Sequence, residues 1–156
     1  MKQYPVLDFL LRFMKNKDEP NPTQYIYPTA ISETLKFSIL EVGAQRSTIE
    51  IDADPGVHGN QQGTIHGGLI CELADAAIGT AHSTVMSQNQ SFTTVELKIN
   101  FIRPSWKTKL KAEAYPIYSG KTITHYKCDI TNVENKLVAF VVSTVMTLNG
   151  DKAVGR

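Results

Sequence analysis

The stretch GTIHGGLICELADAAIG, residues 63–79, decides the fold. A glycine pair follows a histidine, and apolar or small residues then cover nearly all faces of a helical pattern. A helix that is apolar all round is buried rather than lying on a surface. Asp75 stands among alanines in this helix, and a buried carboxylate without a partner is costly. The stretch therefore predicts a buried helix over about residues 66–84, with an acid that needs a partner or a chemical purpose.

Length and composition are those of a single domain with one core. The 156 residues include sixteen basic and fifteen acidic ones, which gives no support to a nucleic-acid partner. Cys71 and Cys128 match no metal or disulfide spacing, so we expect free thiols in a reducing compartment. No apolar run approaches the roughly 18 residues of a membrane span, and the first residues lack a signal-peptide cleavage site. We predict one cytoplasmic domain over residues 1–156, without metal, cofactor or membrane.

Strand patterns surround the helix. Alternating apolar and polar residues predict six strands, which lie at about residues 34–39, 47–53, 95–101, 108–118, 122–132 and 136–148. The last is apolar on both faces and should be central and covered. An amphipathic helix from about Val6 to Met14 and a linker form an extension over residues 1–30. The prediction is an α+β fold in which an antiparallel sheet of about six strands wraps one long buried helix.

The order Asn60-x5-His66-Gly67-Gly68-x6-Asp75, followed by the strand TVELKINFIRPS, resembles the hotdog-fold thioesterases. Within them it is similar to the PaaI-like (phenylacetate-pathway) branch of the 4-hydroxybenzoyl-CoA thioesterase superfamily. The resemblance covers about residues 35–148 and leaves the first 30 residues outside the shared core. It implies a homodimer with joined sheets and an active site at each dimer interface, and in many members a tetramer.

The resemblance implies roles for two residues of the decisive stretch. Amides that open a helix have no partner inside it and lie at the positive end of its dipole. Gly67 lies there, and family members use this backbone N–H to polarise the thioester carbonyl. Because glycine has no side chain, the carbonyl can approach the N–H. The acid matching Asp75 is either the nucleophile or the general base. The alternative for the glycine pair is that it only permits close packing of the loop against the helix. The alternative for Asp75 is a hydrogen-bonded aspartate at an interface.

Four further residues carry weaker expectations. By the family match, Asn60 orients the water or binds the acyl carbonyl, although asparagine is ordinary in a glycine-rich turn. His66, grouped with Gly68 as substrate-binding, donates a hydrogen bond to the substrate or packs in its loop. Thr94 aligns with a Ser/Thr that in relatives comes from the partner subunit and assists the acid. Strand parity equally allows Thr93, and a bulge would favour Thr94.

Other residues on and near the helix have competing interpretations. We interpret Glu72 as structural or solvated, and His82 as a favourable residue near the helix C-terminus. Coenzyme A, the carrier part of the expected substrate, needs basic residues for its phosphates. Arg103 and the turn at Gly120 and Lys121 are candidates. Candidates for the apolar acyl pocket are Tyr25, Tyr27 and Phe92.

The function expected from these residues is hydrolysis of an acyl-CoA thioester. A second hypothesis is a non-catalytic acyl-CoA-binding or regulatory protein of the same fold, against which Asp75 argues. A third is a hotdog dehydratase or hydratase, which needs a histidine and acid pair to move protons. His66 keeps that third hypothesis open.

Overall fold

A six-stranded antiparallel sheet forms the centre of the computed structural model, which describes residues 4–154. The strands are β1 (Ser38–Gly43), β2 (Arg46–Ala53), β3 (Gln90–Phe101), β4 (Thr108–Ser119), β5 (Ile123–Asn132) and β6 (Leu137–Asn149). Their order is β1-β2-β4-β5-β6-β3, and every neighbouring pair is antiparallel. The sheet therefore has β1 at one edge and β3 at the other.

One long helix packs on this sheet. The helices are α1 (Pro5–Phe13), α2 (Ala30–Leu35), α3 (Pro55–His58) and α4 (Gly67–Ser83), with a 3₁₀ turn at Gly150–Ala153. Leu73, Ala74 and Ala77 of α4 are fully buried against the sheet, where small residues permit close approach of the strands. The predicted α+β fold, a sheet around one long helix, is confirmed. None of the helices in the described part of the chain combines the length and apolar character of a membrane span.

Helix α1 docks on the domain through one face, as its sequence predicted. Its buried residues recur at helical spacing and are Val6, Phe9, Leu10 and Phe13. They pack against Tyr25 and Tyr27 of the following segment and against β1. The amphipathic pattern therefore corresponds to a helix whose apolar face packs against other residues of the same chain.

The first predicted strand begins later than its sequence pattern suggested. Residues up to Leu35 form α2, whose N-terminus is capped by the Thr29 hydroxyl accepting the Ser32 N–H at 3.2 Å. Lys36 ends the helix with a positive φ of 59°, and β1 starts at Ser38. Leu35 still packs against the core, because a helix end and a strand can present the same side chains to it.

Two other expectations need correction. The loop expected after β2 contains the short helix α3, capped by Asp54, which accepts the Gly56 N–H at 2.8 Å. Strand β6 lies inside the sheet, between β5 and the edge strand β3, and Val141 is fully buried in the core that also contains the apolar residues of α4. On the opposite face Val142 is 36% exposed, so the expectation that both faces are covered is wrong for a single chain.

We predict that Phe9→Ala lowers the free energy of unfolding by about 3–5 kcal/mol, because it leaves a cavity beneath α1. Leu11→Ala on the same helix is the control, since Leu11 is 44% exposed, and its effect should stay within about 0.5 kcal/mol. Urea unfolding monitored by circular dichroism measures both. Equal effects of the two substitutions would show that α1 does not pack as described.

Candidate active site

Asp75 lies at the middle of α4 and faces the edge strand β3. The Thr94 hydroxyl donates a hydrogen bond to Asp75 Oδ1 at 3.1 Å. The pairing of β3 with β6 shifts register between Thr94 and Glu96, which marks a bulge. The bulge that strand parity required is therefore present, and Thr94 rather than Thr93 contacts the acid. Thr94 and Asp75 belong to the same chain, so this contact forms without a partner subunit. The expectation was that the hydroxyl comes from the partner.

Negative charge accumulates on this face of α4. Burial, and then the charge of Asp75, raise the pKa of Glu72. Burial also raises the pKa of the Cys71 thiol, with smaller contributions from Asp75 and Glu72. The seven ion pairs formed within residues 4–154 do not include Asp75. The carboxylate is therefore half-buried with a hydroxyl, not a cation, as its hydrogen-bond partner.

The start of α4 leaves one amide available. His66 is the N-cap residue, and its Nδ1 accepts the Gly68 N–H at 2.8 Å. The His66 backbone N–H donates to the His58 carbonyl at 2.8 Å, which ties the helix start to α3. Within residues 4–154 no acceptor is found for the Gly67 N–H. His66 thus acts as a cap and uses the Gly68 amide, which leaves Gly67 as the open donor.

Asn60 is engaged by its own loop. Its Oδ1 accepts the N–H groups of Gln62 at 2.9 Å and Thr64 at 3.2 Å. Its Nδ2 donates to Thr64 Oγ1 at 2.9 Å. These bonds favour the interpretation of Asn60 as a turn residue that shapes the loop leading into α4.

A cavity of about 370 Å³ at the start of α4 brings several site residues together. Asn60, Gly67 and Arg103 all line it, and so does Phe101. The Arg103 guanidinium donates to the Leu137 carbonyl oxygen at its rim. The structure therefore groups three of the residues that the sequence proposed, although they are separated by up to 43 positions.

The second basic candidate lies elsewhere in the chain. Gly120 and Lys121 line a different cavity of about 290 Å³, together with His82 near the end of α4. Arg103 shares its cavity with the first residue of α4. A single chain therefore does not bring Lys121 and Arg103 to one phosphate-binding surface, because the length of α4 separates them.

His82 is a buried neutral imidazole. Its ring nitrogens lie 3.1 Å from Tyr126 Oη and 3.0 Å from Thr147 Oγ1. Burial lowers its pKa to about 4. The expected favourable interaction of a charged histidine with the helix C-terminus is therefore wrong, and His82 instead joins α4 to β5 and β6 through hydroxyl groups.

The aromatic candidates for an acyl pocket have different environments. Tyr25 stacks on Phe92 with ring centroids 5.9 Å apart, and burial followed by the nearby Tyr27 raises the pKa of Tyr25 to about 12. Tyr27 lines a cavity of about 290 Å³ under α1 and α2, and its Oη lies 2.6 Å from Ser83 Oγ. That cavity is also lined by Thr80, one of the residues of α4 after Asp75.

The site offers no ready place for a metal ion. Among residues 4–154, no group of three or more histidine, cysteine, aspartate or glutamate side chains could hold one. The groups described above at the site are a carboxylate, a hydroxyl and a backbone amide.

Comparison with known proteins shows the family of the chain. The family model of the Thioesterase superfamily matches residues 62–139, which is half of the chain and spans the site from Gly67 to Arg103. A protein of Archaeoglobus fulgidus named "Putative esterase" is 30% identical over 81% of both chains. The chain therefore belongs to the thioesterase superfamily and is a thioester hydrolase.

Solved structures place it in the hotdog fold of that superfamily. The thioesterase HI1161 of Haemophilus influenzae matches with a TM-score of 0.72 and 24% identity, covering 78% of this chain and 85% of its own. The PaaI protein from the phenylacetic acid degradation operon of Escherichia coli matches with a TM-score of 0.76 and 19% identity, covering 96% and 98%. The PaaI match includes most of the first 30 residues, whereas the HI1161 match covers 78% of this chain, so the placement of those residues outside the shared core stays a prediction.

We predict that stability falls by about 3 kcal/mol between pH 6.5 and 4 because of His82. The unfolded chain protonates this imidazole near pH 6.5, whereas the folded chain does so only near pH 4. Lowering the pH through this window therefore favours the unfolded state, and above it the group has no effect. Urea unfolding against pH should give a steeper dependence for the native chain than for His82→Asn.

The matched control is His125→Asn, which removes an exposed imidazole and leaves His82 in place. This variant should retain the native pH dependence. Identical profiles for the native chain and His82→Asn would contradict the assignment.

Proposed function

We propose that this hydrolase is an acyl-CoA thioesterase in which Asp75 is the general base or nucleophile and the Gly67 N–H polarises the thioester carbonyl. The observation that carries the proposal is the Asp75 carboxylate, half-buried on α4 and bound by the Thr94 hydroxyl rather than by a cation. A carboxylate without a neutralising partner keeps its basicity for chemistry. The membership of the chain in a thioesterase superfamily supports the reaction type.

The chemistry needs few groups. Asp75 either takes a proton from water as the water oxygen attacks the carbonyl carbon, or attacks that carbon itself and forms an anhydride that water then opens. The Gly67 N–H, at the positive end of α4, stabilises the developing oxyanion. The C–S bond breaks, and the thiolate leaves and takes up a proton. Because a thiol has a pKa near 8.5, departure needs no strong acid.

The two groups cannot act on one carbonyl within a single chain. Gly67 and Asp75 are eight residues apart on α4, which is a rise of about 12 Å. Reacting groups must lie within about 3–3.5 Å of the carbon. A second copy of the chain resolves the conflict if its Asp75 reaches the Gly67 of the first. This supports the homodimer with composite sites, and leaves tetramer formation as a prediction.

The edge strand β3 suits such an assembly. Among the strands formed by residues 4–154 it pairs only with β6, and it therefore presents an unpaired edge along the same strand that holds Thr94. Val95 at the bulge is 56% exposed and Ile102 just beyond the strand is 48% exposed. Pairing two β3 strands would cover apolar surface and bring each Asp75 toward the other chain.

Substrate-binding roles follow from the cavities. Arg103 lies at the cavity beside Gly67 and would attract a phosphate of coenzyme A. Tyr27 and the cavity under α1 would accept the apolar end of the acyl group. Lys121 would serve the same site only if dimer formation places the end of α4 of one subunit near the start of α4 of the other.

We predict that Asp75→Asn lowers kcat by about 10²–10⁴-fold, because it removes the proton acceptor or nucleophile. The matched control is Glu72→Gln, which changes the neighbouring carboxylate on the same helix and should retain activity. Release of free thiol from a panel of acyl-CoA esters measures both variants. Tight binding without turnover by the native chain would instead indicate a binding protein, and an enoyl-CoA product would indicate a hydratase or dehydratase.

A mixing experiment tests the composite site. Gly67→Pro removes the amide at the first helical position, where proline is tolerated, and its side chain also displaces the Phe101 ring, so this half of the site is disabled. Dimers of this variant and dimers of Asp75→Asn should each be inactive. After unfolding and refolding together, half of the dimers are mixed and hold one intact site of two, so about a quarter of native activity should return. No recovery, with mixed dimers shown by differential tagging, would place Gly67 and Asp75 in one chain's site.

A further inference from the structure

An aromatic ring rests on the first residue of α4. The Cζ atom of Phe101 lies 2.8 Å from the point that a Cβ on residue 67 would occupy, and its Cε1 lies 3.1 Å from that point. Real Cβ contacts essentially never come this close. The ring therefore fills the space that the missing Gly67 side chain leaves open.

Phe101 is held in this position by the fold. It is the last residue of β3 and pairs with Ala139 of β6. Its side chain lines the cavity that also contains Asn60, Gly67 and Arg103, yet 55% of the residue is exposed. Strand pairing therefore fixes the backbone of Phe101, while part of its ring remains accessible at the cavity.

The ring changes the reason for a glycine at position 67. If the glycine served only to let the carbonyl approach the N–H, the space beside its Cα would be open. That space holds Phe101, and the N–H remains without an acceptor among the described residues. The glycine thus admits a ring against the helix start while leaving its donor available.

We propose that Phe101 is a positioning residue for the thioester carbonyl, and that Gly67 is glycine in order to seat its ring. The ring closes one side of the helix start, excludes water from the donor, and directs the carbonyl to the remaining open side. Exclusion of water strengthens the interaction of the Gly67 N–H with a developing oxyanion. This inference rests on the proposed function, since it assigns Phe101 to the same carbonyl site.

A double-mutant cycle tests the proposal. Gly67→Ala, Phe101→Ala and the double variant each remove the ring from its seat, because an alanine Cβ must displace the far end of the Phe101 side chain. All three should lose about 10- to 100-fold in kcat with little change in KM. The double variant should lie within about twofold of Phe101→Ala. Losses that multiply would mean that Gly67 admits the carbonyl directly, which overturns the proposal.

Conservative and control variants separate the ring from general packing. Phe101→Tyr keeps a ring on Gly67 and should retain kcat, whereas Phe101→Leu should lose it. Trp106→Leu is the matched control, since Trp106 is 59% exposed and lies five residues away, and it should keep native kinetics. Native kcat in Phe101→Leu would overturn the proposal.

A structural readout distinguishes failure of this inference from failure of the proposed function. In ¹⁵N-edited NMR spectra of the native chain, the Gly67 amide resonance should carry a ring-current shift. This shift should disappear in Phe101→Leu and remain unchanged in Trp106→Leu. An unchanged Gly67 resonance in Phe101→Leu would show that the ring is not seated there. A seated ring in a chain without thioesterase activity would refute the carbonyl role together with the proposed function.

Discussion

The rigidity of α4 is the constraint on which the site depends. A 17-residue helix fixes the relative positions of every group along it. Its first amide and its central carboxylate are therefore held about 12 Å apart. In the proposed mechanism the two groups act in different sites, and a second copy with the same helix would supply the missing half of each. Symmetry then lets one sequence element provide both halves.

The structure around α4 prepares each half separately. At the helix start, His66 satisfies the second amide and Phe101 fills the space beside Gly67, so one donor remains directed outward. At the helix centre, the bulge in β3 turns Thr94 toward Asp75. Among residues 4–154, Asp75 forms no ion pair. The contacts of Phe101 with Gly67 and of Thr94 with Asp75 join residues that are distant in the chain and that the fold brings together.

The features that could be predicted from sequence are those set by local periodicity. The small-residue pattern of residues 66–84 predicted α4. The family resemblance proposed Thr94, and strand parity left Thr93 as the alternative unless a bulge intervened. The start of β1 was misplaced, because Leu35 faces the core from a helix as readily as from a strand. Alternation of side chains reports which face is buried and does not distinguish these two backbones over so short a stretch.

Contacts between residues that are distant in the chain could not be predicted from the sequence. Phe101 meets Gly67 across 34 positions, and neither residue type signals the contact. His82 is neutral because its partners, Tyr126 and Thr147, come from strands 44 and 65 positions away. Burial in a polar network lowers the pKa of the imidazole, whereas helix position alone would favour its charged form. Where local and tertiary effects on a side chain disagree, the tertiary effect decides its state.

The electrostatics of the open face of α4 add a final step. The charge of Asp75 contributes to the raised pKa values of Glu72 and Cys71, so its neighbours hold their protons more tightly. A raised pKa makes the Cys71 thiol a poorer nucleophile, so in the proposed mechanism it does not compete with Asp75. Burial and the charge of Asp75 thus act in the same direction on both neighbours, and in the proposed mechanism Asp75 is the one of the three groups that reacts.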